Sequence, residues 1–324
     1  MGEENQERRV QELLRKALRQ PPRNAHPVVT ALKLALTGST GMLGRDLLPL
    51  LSGRHHVIPI SRAQGDITES DRILHALAAA EPETVIHAAA FTAVDECERQ
   101  PETAFRVNGE GTKNVAAACK ELQVPLMYLS TDYVFDGSKP APYTEDDAPN
   151  PLNVYGKSKL EGERSIVDLL DRFWIVRVSW LFGPLGKNFV RTILGLARGG
   201  APLRVVDDQT GAPTYTMDLS MKIEQIIGNG GSGGSGAPGI YHVTNQGYCS
   251  WFEFAREALR QAGITRATLS PITTEEAGRA ARRPKNSRLA NGRLEREGFS
   301  LLPVWQNALA RYLARTTEMT PPHE

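Results

Sequence analysis

The order of the expected strands and helices constrains the fold of this chain more than any other feature of its sequence. From Leu32 to Val178, short and almost wholly apolar segments alternate with longer segments whose apolar residues recur at helical spacing. The expected strands are 32–36, 56–60, 84–88, 126–129 and 173–178. Such strands, separated by helices, form a parallel sheet covered on both faces. The sequence therefore predicts a doubly wound, Rossmann-like α/β fold, whose ligand lies at the carboxyl ends of the strands.

A glycine turn links the first expected strand to the first expected helix. It reads Gly38-Ser-Thr-Gly41-Met-Leu-Gly44. Glycines let the backbone approach a pyrophosphate, and the amides at the start of a helix point at its negative charge. In this position the turn predicts dinucleotide binding. The residues of the turn that we expect at the cofactor are Gly38, Thr40, Gly41, Met42, Leu43 and Gly44.

The end of the second strand indicates which dinucleotide binds. It reads Ile60-Ser61-Arg62 and lacks the acidic residue that accepts a ribose 2′-hydroxyl. Ser61 and Arg62 can bind a 2′-phosphate, with Arg45 as a second candidate, so we expect NADPH, with NADH as the alternative. The alternative is that Arg62 does not bind the phosphate and is simply a solvated cation of the loop. Further cofactor contacts are expected from Asp66 and Ile67 near the adenine and from the small residues Ala88, Ala89 and Ala90.

The remainder of the chain has a less regular pattern. Helices are expected at 188–197, 217–227, 251–262 and 304–314, and strands at 203–206 and 240–243; 228–236 reads as a flexible loop. We expect an NADP(H)-binding domain over 32–182, which also takes late sheet elements from about 217–244. A smaller substrate-binding subdomain follows over 183–316, with a tail at 317–324. Residues 1–31 form an extension, either a peripheral helix or an arm used in oligomerisation.

Three polar residues are placed to reduce a carbonyl. Tyr155 and Lys159 are four residues apart on one face of an expected helix, 154–170, and Thr131 follows the strand 126–129. Tyr155 would donate a proton to the developing alkoxide, and the Lys159 ammonium would lower the pKa of this phenol. Thr131 would hydrogen-bond the same oxygen. Hydride would come from a nicotinamide, so Tyr155 and Lys159 are also expected to contact the cofactor.

These segments together resemble an extended short-chain dehydrogenase/reductase, and within that group the chain is similar to the dTDP-4-dehydrorhamnose reductases. The matching segments are 38–44, 88–95, 130–135, 153–159, 177–183, 208–214 and 281–289. The resemblance implies that NADPH reduces the C4 ketone of a dTDP-4-dehydro-6-deoxyhexose, giving dTDP-L-rhamnose or a close relative. It leaves only the N-terminal extension uncovered.

The resemblance also implies roles for individual residues. Thr131, Tyr155 and Lys159 form the catalytic set. The substrate-binding residues that it implies are Val94, Asp132, Trp180, Asn188, Gln209 and Arg283. Arg282 accompanies Arg283 as a donor to the diphosphate, or the two form a plain surface pair. Some members of the family carry Mg²⁺ at a dimer contact built by glutamates; those glutamates have no secure match here, so we assign no metal ligand.

Two other functions share much of this pattern. In a nucleotide-sugar 4,6-dehydratase the Ser-Thr-Asp motif continues with a glutamate that abstracts a proton. Here that position is Tyr133, which favours simple reduction over dehydration or epimerisation. The second alternative is a regulatory subunit, because the beta subunit of methionine adenosyltransferase has this fold and similar motifs. Such a protein would bind NADP(H) and a partner enzyme without turnover.

Charge and composition favour a small-molecule partner. The chain has 38 Lys and Arg against 37 Asp and Glu, which indicates neither a nucleic-acid nor a membrane partner. Three scattered cysteines favour reduced thiols, and no stretch approaches the roughly 18 apolar residues that span a bilayer. We therefore expect a cytoplasmic protein with a small-molecule partner, which the resemblance implies is a nucleotide sugar, and leave a homodimer open.

Overall fold

The computed structural model describes residues 31–229 and 236–318. The extension over 1–31 lies outside the described residues except for its last residue. So do 230–235 of the low-complexity loop and 319–324 of the tail.

A parallel sheet forms the centre of the fold. The strands, in chain order, are β1 (Lys33–Thr37), β2 (His56–Ile60), β3 (Thr84–His87), β4 (Leu126–Thr131), β5 (Phe173–Val178), β6 (Leu181–Phe182), β7 (Leu203–Val206), β8 (Thr210–Gly211), β9 (Thr214–Tyr215), β10 (Gly239–His242), β11 (Cys249–Ser250) and β12 (Leu269–Ile272). Six of them pair in parallel in the order β10-β5-β4-β3-β1-β2. The predicted doubly wound fold is confirmed.

Helices cover both faces of this sheet and build the rest of the molecule. They are α1 (Met42–Ser52), α2 (Ser70–Ala80), α3 (Val94–Arg99), α4 (Pro101–Ala104), α5 (Gly111–Glu121), α6 (Val154–Leu169), α7 (Phe189–Arg198), α8 (Thr216–Asn229), α9 (Trp251–Gln261), α10 (Thr274–Ala277), α11 (Gly292–Arg296) and α12 (Trp305–Glu318). A π-helical turn joins α4 to α5, and a 3₁₀ turn follows β4. None of the described helices has the length and apolarity needed to cross a membrane.

The strand order places a crevice beside β1. The chain leaves β1 toward β2 on one side and returns to β3 on the other, so β1 lies between them. At this reversal the connections after β1 and β3 diverge to opposite faces, and a ligand can enter between them. The glycine turn after β1 and Ala88 after β3 meet at this point: Ala88 N donates to Thr37 O at 3.2 Å.

Apolar residues on the two faces of the sheet form separate cores, because side chains alternate along a strand. Leu34 and Leu36 of β1 pack in one core, with leucines of α1 and the buried face of α8. Ala35 packs in the other, with Ile73 of α2 and Val115 of α5. All five side chains are fully buried. Their positions follow from the short apolar runs and the helical spacing of the sequence.

A third core lies outside the sheet. It contains Phe182, Tyr215, Phe254 and Tyr312 together with apolar residues of α7, α9 and α12. The rings of Tyr215, Phe254 and Tyr312 lie 5.4 to 5.6 Å from the ring of Phe182, centroid to centroid. Strand β12, which pairs with β7, was not predicted. Backbone contacts group the described residues from Ala31 onward into one compact unit, so the domain boundary at 182/183 stays a prediction.

Candidate active site

The glycine turn leaves the start of α1 open to an anion. Gly38 has φ +73°, and a Cβ there would lie 2.5 Å from Ala89 N; a Cβ on Gly44 would overlap the Gly38 carbonyl oxygen. Both positions therefore require glycine. Gly41 begins α1 without a side-chain cap, and the first turn carries no acidic residue. The first N–H groups of the helix are thus available to a phosphate, and the turn fits a dinucleotide.

The other residues predicted for the turn differ in what they present. Thr40 is exposed and Met42 is half-buried, whereas Leu43 packs into the core beside α8. Leu43 can therefore offer a bound anion its amide but not its side chain. At the neighbouring strand end, Ala88, Ala89 and Ala90 are all half-buried. Their short side chains keep the crevice wide enough for a flat ring.

Arg62 lies where the sequence places the 2′-phosphate site, after β2. Its Nε donates to Asp66 Oδ2 at 2.8 Å, and its side chain is 84 % exposed. Burial opposes ionisation of Asp66, but hydrogen bonds from Arg62 and Thr68 hold the pKa of this carboxyl at about 2. Arg62 is therefore held by an ionised partner through Nε, and its Nη1 and Nη2 make no hydrogen bond to other described residues. Ser61 Oγ donates to Gln64 Oε1 at 2.7 Å.

Ile67 is held in place by the core and by a side chain of α5. Its side chain is buried in the core beneath α2 and α5. Its carbonyl oxygen accepts from Asn114 Nδ2 at 2.9 Å. The predicted contact of Ile67 with the adenine stays a prediction.

The structure brings Thr131, Tyr155 and Lys159 together. Thr131 is the last residue of β4, two residues beyond the predicted end of this strand, and Tyr155 and Lys159 lie on the first two turns of α6. Asn153 caps this helix by accepting from Gly156 N at 2.8 Å. A Cβ on Gly156 would overlap the Tyr133 carbonyl oxygen, so glycine lets α6 pack directly on the turn after Thr131. The Tyr155 phenol consequently lies beside the Thr131 hydroxyl, which acts to lower its pKa.

Lys159 is buried beneath the end of β4. Its Nζ donates to Leu129 O at 2.7 Å and lies 4.0 Å from the centroid of the Tyr128 ring. Burial lowers the pKa of Lys159 from 10.5 to about 7, and the Glu163 carboxylate limits this decrease. The protonation of this amine near neutral pH thus depends on its neighbours.

The Tyr155 phenol differs from the expectation. We expected the Lys159 ammonium to lower its pKa, but burial and the Asp132 carboxylate raise the pKa of Tyr155 well above 10. The expectation was wrong because the phenol is buried and the charge that acts on it most is Asp132, whereas Lys159 is bonded to Leu129 O. Tyr155 therefore keeps its proton at neutral pH, as a proton donor must.

Asp132 is enclosed by hydroxyl donors. Thr131 Oγ1 donates to Oδ1 and Ser179 Oγ donates to Oδ2, each at 3.0 Å, and the residue is 3 % exposed. Burial raises the pKa of Asp132 from 3.8 to about 6, against hydrogen bonds from Ser287, Thr131 and Ser179. The hydrogen of Thr131 thus points to Asp132, and its oxygen accepts from Tyr133 N at 3.2 Å. The predicted substrate contact of Asp132 stays a prediction, since both oxygens already have protein partners.

Trp180 lies two residues beyond the end of β5. Its φ of +46° is unusual for a bulky residue, so surrounding contacts hold it there. The indole stacks on Trp251 with ring centroids 3.6 Å apart, and a Cβ on Gly211 would overlap it. Both indoles are half-buried, so they can offer a flat surface to a sugar. Sequence reasoning missed Trp251, whose only signal was an aromatic residue beginning a helix.

Asn188 and Gln209 make structural hydrogen bonds. Asn188 caps α7: its Oδ1 accepts from Arg191 N at 3.0 Å, and its Nδ2 donates to Gly183 O at 2.8 Å. Gln209 Nε2 donates to Thr274 Oγ1 at 3.0 Å, and the residue is buried. Their predicted contacts with substrate stay predictions.

Arg283 joins the C-terminal segment to α3. Its two terminal nitrogens donate to the two oxygens of Asp95, each at 3.0 Å. Val94, the first residue of α3, is half-buried beside Asp95. A diphosphate that bound Arg283 would have to share it with Asp95, whereas Arg282 is exposed. In the described part of the chain, no group of three or more His, Cys, Asp and Glu could hold a metal ion.

Comparisons with known proteins agree with this geometry. Residues 32–318 match the family model of the RmlD substrate binding domain. The chain is 41 % identical over 276 residues to a dTDP-4-dehydrorhamnose reductase of Streptomyces griseus, covering 85 % of this chain and 90 % of that protein. It is 39 % identical over 282 residues to the spore coat polysaccharide biosynthesis protein SpsK of Bacillus subtilis, covering 87 % and 96 %.

A solved structure shows the same likeness in three dimensions. It is the crystal structure of dTDP-4-dehydrorhamnose reductase from Bacillus anthracis in complex with NADP, with 37 % sequence identity and a TM-score of 0.84. The match covers 88 % of this chain and 100 % of that one. The family model, the sequence identities and the shared structure show that the chain belongs to the RmlD substrate binding domain family, the family of the dTDP-4-dehydrorhamnose reductases.

Proposed function

We propose that the chain is an NADPH-dependent reductase of the C4 ketone of a dTDP-4-dehydro-6-deoxyhexose, with dTDP-4-dehydrorhamnose as substrate and dTDP-L-rhamnose as product. The observation that carries this proposal is the convergence of Tyr155, Thr131 and Lys159 at the end of β4, at the same edge of the parallel sheet as the open start of α1. The named activities of the relatives and the NADP in the Bacillus anthracis structure support the same reaction.

The side chains of the site divide the work of a carbonyl reduction. Tyr155 donates its phenolic proton to the carbonyl oxygen as the negative charge develops there. Thr131 holds the phenol, and Asp132 in turn orients Thr131. Lys159 uses one hydrogen on Leu129 O and has others for ribose hydroxyls. When bound, NADPH supplies the hydride.

The residues present fit NADP(H). The pyrophosphate would bind at Gly38 to Gly44, where the amides of α1 have no side-chain acceptor. The 2′-phosphate would bind at Ser61 and Arg62, which already has one carboxylate partner in Asp66 and two further nitrogens to offer. We propose NADPH over NADH on this basis.

A dehydratase reaction is less well supported. The position of its proton-abstracting glutamate is Tyr133, and burial and the Asp132 carboxylate raise the pKa of the Tyr133 phenol. A phenol with a raised pKa stays protonated at neutral pH and cannot act as a base. The regulatory-subunit alternative keeps the same cofactor site but predicts no turnover.

The test is reduction of dTDP-4-dehydro-L-rhamnose by the purified protein, followed as loss of NADPH absorbance at about 340 nm. Tyr155→Phe removes one oxygen and should lower kcat on the order of 10²-fold or more, with NADPH affinity retained. Tyr248→Phe is the matched control, because that phenol donates to Leu289 O and is outside the proposed site.

Each outcome decides something. Full activity of Tyr155→Phe would exclude it as the proton donor. NADPH binding without turnover on any of a panel of dTDP-4-keto sugars, together with copurification of a synthetase, would favour the regulatory subunit. Products identified by NMR would fix the sugar and its C4 configuration.

The proposal includes the setting of the reaction. We propose a cytoplasmic protein whose partner is a nucleotide sugar and not a nucleic acid or a membrane, supported by the near balance of 38 basic and 37 acidic residues. A homodimer stays a prediction, and among the described residues no group of His, Cys, Asp and Glu supports Mg²⁺.

A further inference from the structure

A buried ion pair lies directly behind the catalytic residues. Arg177 of β5 donates to Glu163 of α6 through Nε at 3.0 Å and Nη2 at 2.7 Å. Ser130 Oγ donates to Glu163 Oε1 at 2.5 Å. The side chains of Arg177 and Glu163 are only 2 % and 4 % exposed. One carboxylate therefore joins α6 to both β4 and β5.

The position of this carboxylate along α6 links it to the active site. Tyr155, Lys159 and Glu163 are spaced by four residues, so they follow one another along one face of the helix. Ser130 directly precedes Thr131 at the end of β4. A bond between Ser130 and Glu163 thus fixes the helix that carries Tyr155 relative to the strand that carries Thr131.

Stability alone does not explain the pair. Removing two charges from water costs several kcal/mol per ion, and apolar residues of the same size often stabilise a core as well or better. A buried ion pair does fix geometry, because separating the two charges costs more free energy than separating two apolar groups.

The carboxylate also acts on Lys159. The groups that face this amine are the Leu129 carbonyl and the Tyr128 ring of β4, the His87 ring of β3 and, from its own helix, Glu163. Burial raises the pKa of Tyr128 and lowers that of His87, so both rings are neutral near pH 7. Glu163 is the anion that opposes the loss of the Lys159 proton, and Arg177 is its ion-pair partner.

We propose that Glu163 is a positioning residue for the reductase reaction: it sets α6 against the end of β4 and keeps Lys159 in its ammonium form. This inference rests on the proposed function. Glu163 acts through Lys159 and Ser130 and does not touch the substrate. Its effect is therefore on the pH range of activity as well as on rate.

The test compares Glu163→Gln with Glu161→Gln, a matched change at an exposed position of the same helix. In Glu163→Gln the pH at which kcat falls on the alkaline side should be lower by on the order of one pH unit, because Lys159 no longer has a carboxylate neighbour that favours its ammonium form. At pH 8 this shift corresponds to a loss of about tenfold in kcat. KM for the sugar should change by less than about twofold. Glu163→Asp keeps the charge and should retain the wild-type limb.

Glu163→Gln leaves Arg177 buried without an ion-pair partner and could therefore fail to fold. A second variant keeps the test valid in that case. Glu163→Gln/Arg177→Met removes both charges and should show the same displaced limb. A limb at the wild-type pH in this folded variant would overturn the proposal, as would an equal displacement in Glu161→Gln.

NADPH binding separates this inference from the proposed function. If the wild-type protein reduces no dTDP-4-keto sugar, the proposed function fails, but NADPH affinity still reports on Lys159. Between pH 6 and pH 8 the NADPH affinity should decrease in both proteins, and the decrease in Glu163→Gln should be larger than that in the wild type by on the order of tenfold. Identical pH dependence of the two affinities would refute the role of Glu163.

Discussion

Asp132→Asn should stabilise the protein at pH 8 although it removes a hydrogen-bonded buried group. A carboxyl whose pKa is higher in the folded protein than in the unfolded chain binds its proton more tightly when folded, so ionising it costs stability. For Asp132 the two values are about 6 and 3.8. The contribution of the protonated carboxyl to the free energy of unfolding is lost as the pH rises from 3.8 to about 6, and it does not decrease further above about pH 6.

The magnitude follows from the two pKa values and the hydrogen bonds. The cost of ionising Asp132 is about 1.5 kcal/mol at pH 5 and about 3 kcal/mol at pH 8. Asparagine can accept from Thr131 or Ser179 through Oδ1, but its Nδ2 cannot accept from the other, a loss of about 1 to 2 kcal/mol. Asp132→Asn should therefore be nearly neutral at pH 5 and stabilising by about 1 to 2 kcal/mol at pH 8.

The assay is the free energy of unfolding in urea at pH 5 and pH 8, measured on the wild type and the variant. Asp136→Asn is the control with the opposite sign. Hydrogen bonds from Ser138 lower the pKa of Asp136, so its carboxylate is stabilising and the variant should be less stable at pH 8 than the wild type. A destabilised Asp132→Asn at pH 8, or one whose effect is equal at both pH values, would refute the reasoning.

Two further predictions concern the cofactor site. Gly44→Ala places a Cβ on the Gly38 carbonyl oxygen, so NADPH affinity, measured by calorimetric titration, should fall on the order of tenfold or more. The control is Gly53→Ala at the other end of α1, where the nearest atom to the new Cβ is 3.3 Å away and NADPH affinity should not change. Arg62→Ala should weaken NADPH on the order of tenfold more than NADH, because only NADPH carries the 2′-phosphate, and equal losses in the two titrations would remove Arg62 from the phosphate site.

Local sequence was enough to predict the parts of the site that depend on neighbours along the chain. The glycine turn and the four-residue spacing of Tyr155 and Lys159 gave the correct placement, because both are set within one turn or one helix. The end of β4 was placed two residues early, since Ser130 and Thr131 are polar and break the apolar run. Strand β12 was missed for the same reason, as its Ser270 and Pro271 are exposed.

What the sequence could not predict depends on contacts between distant segments. Burial raises the pKa of Asp132, and hydrogen bonds from Ser179, 47 residues away, and from Ser287 limit this rise. Both effects arise only in the folded chain. The stacking of Trp180 on Trp251 has the same origin. The expected lowering of the Tyr155 pKa was wrong because spacing on a helix gives proximity but not burial or the direction of a hydrogen bond.

The return of β10 to the sheet has a practical consequence for dividing this molecule. Strand β10 pairs with β5, and α8, which precedes it, covers α1 with Leu219, Ile223 and Ile226. A fragment that ended at residue 182 would lose both elements and expose apolar side chains of β5 and α1 to water. A chimera of two such reductases that exchanges the cofactor-binding region would therefore have to exchange residues 217–244 together with residues 32–182.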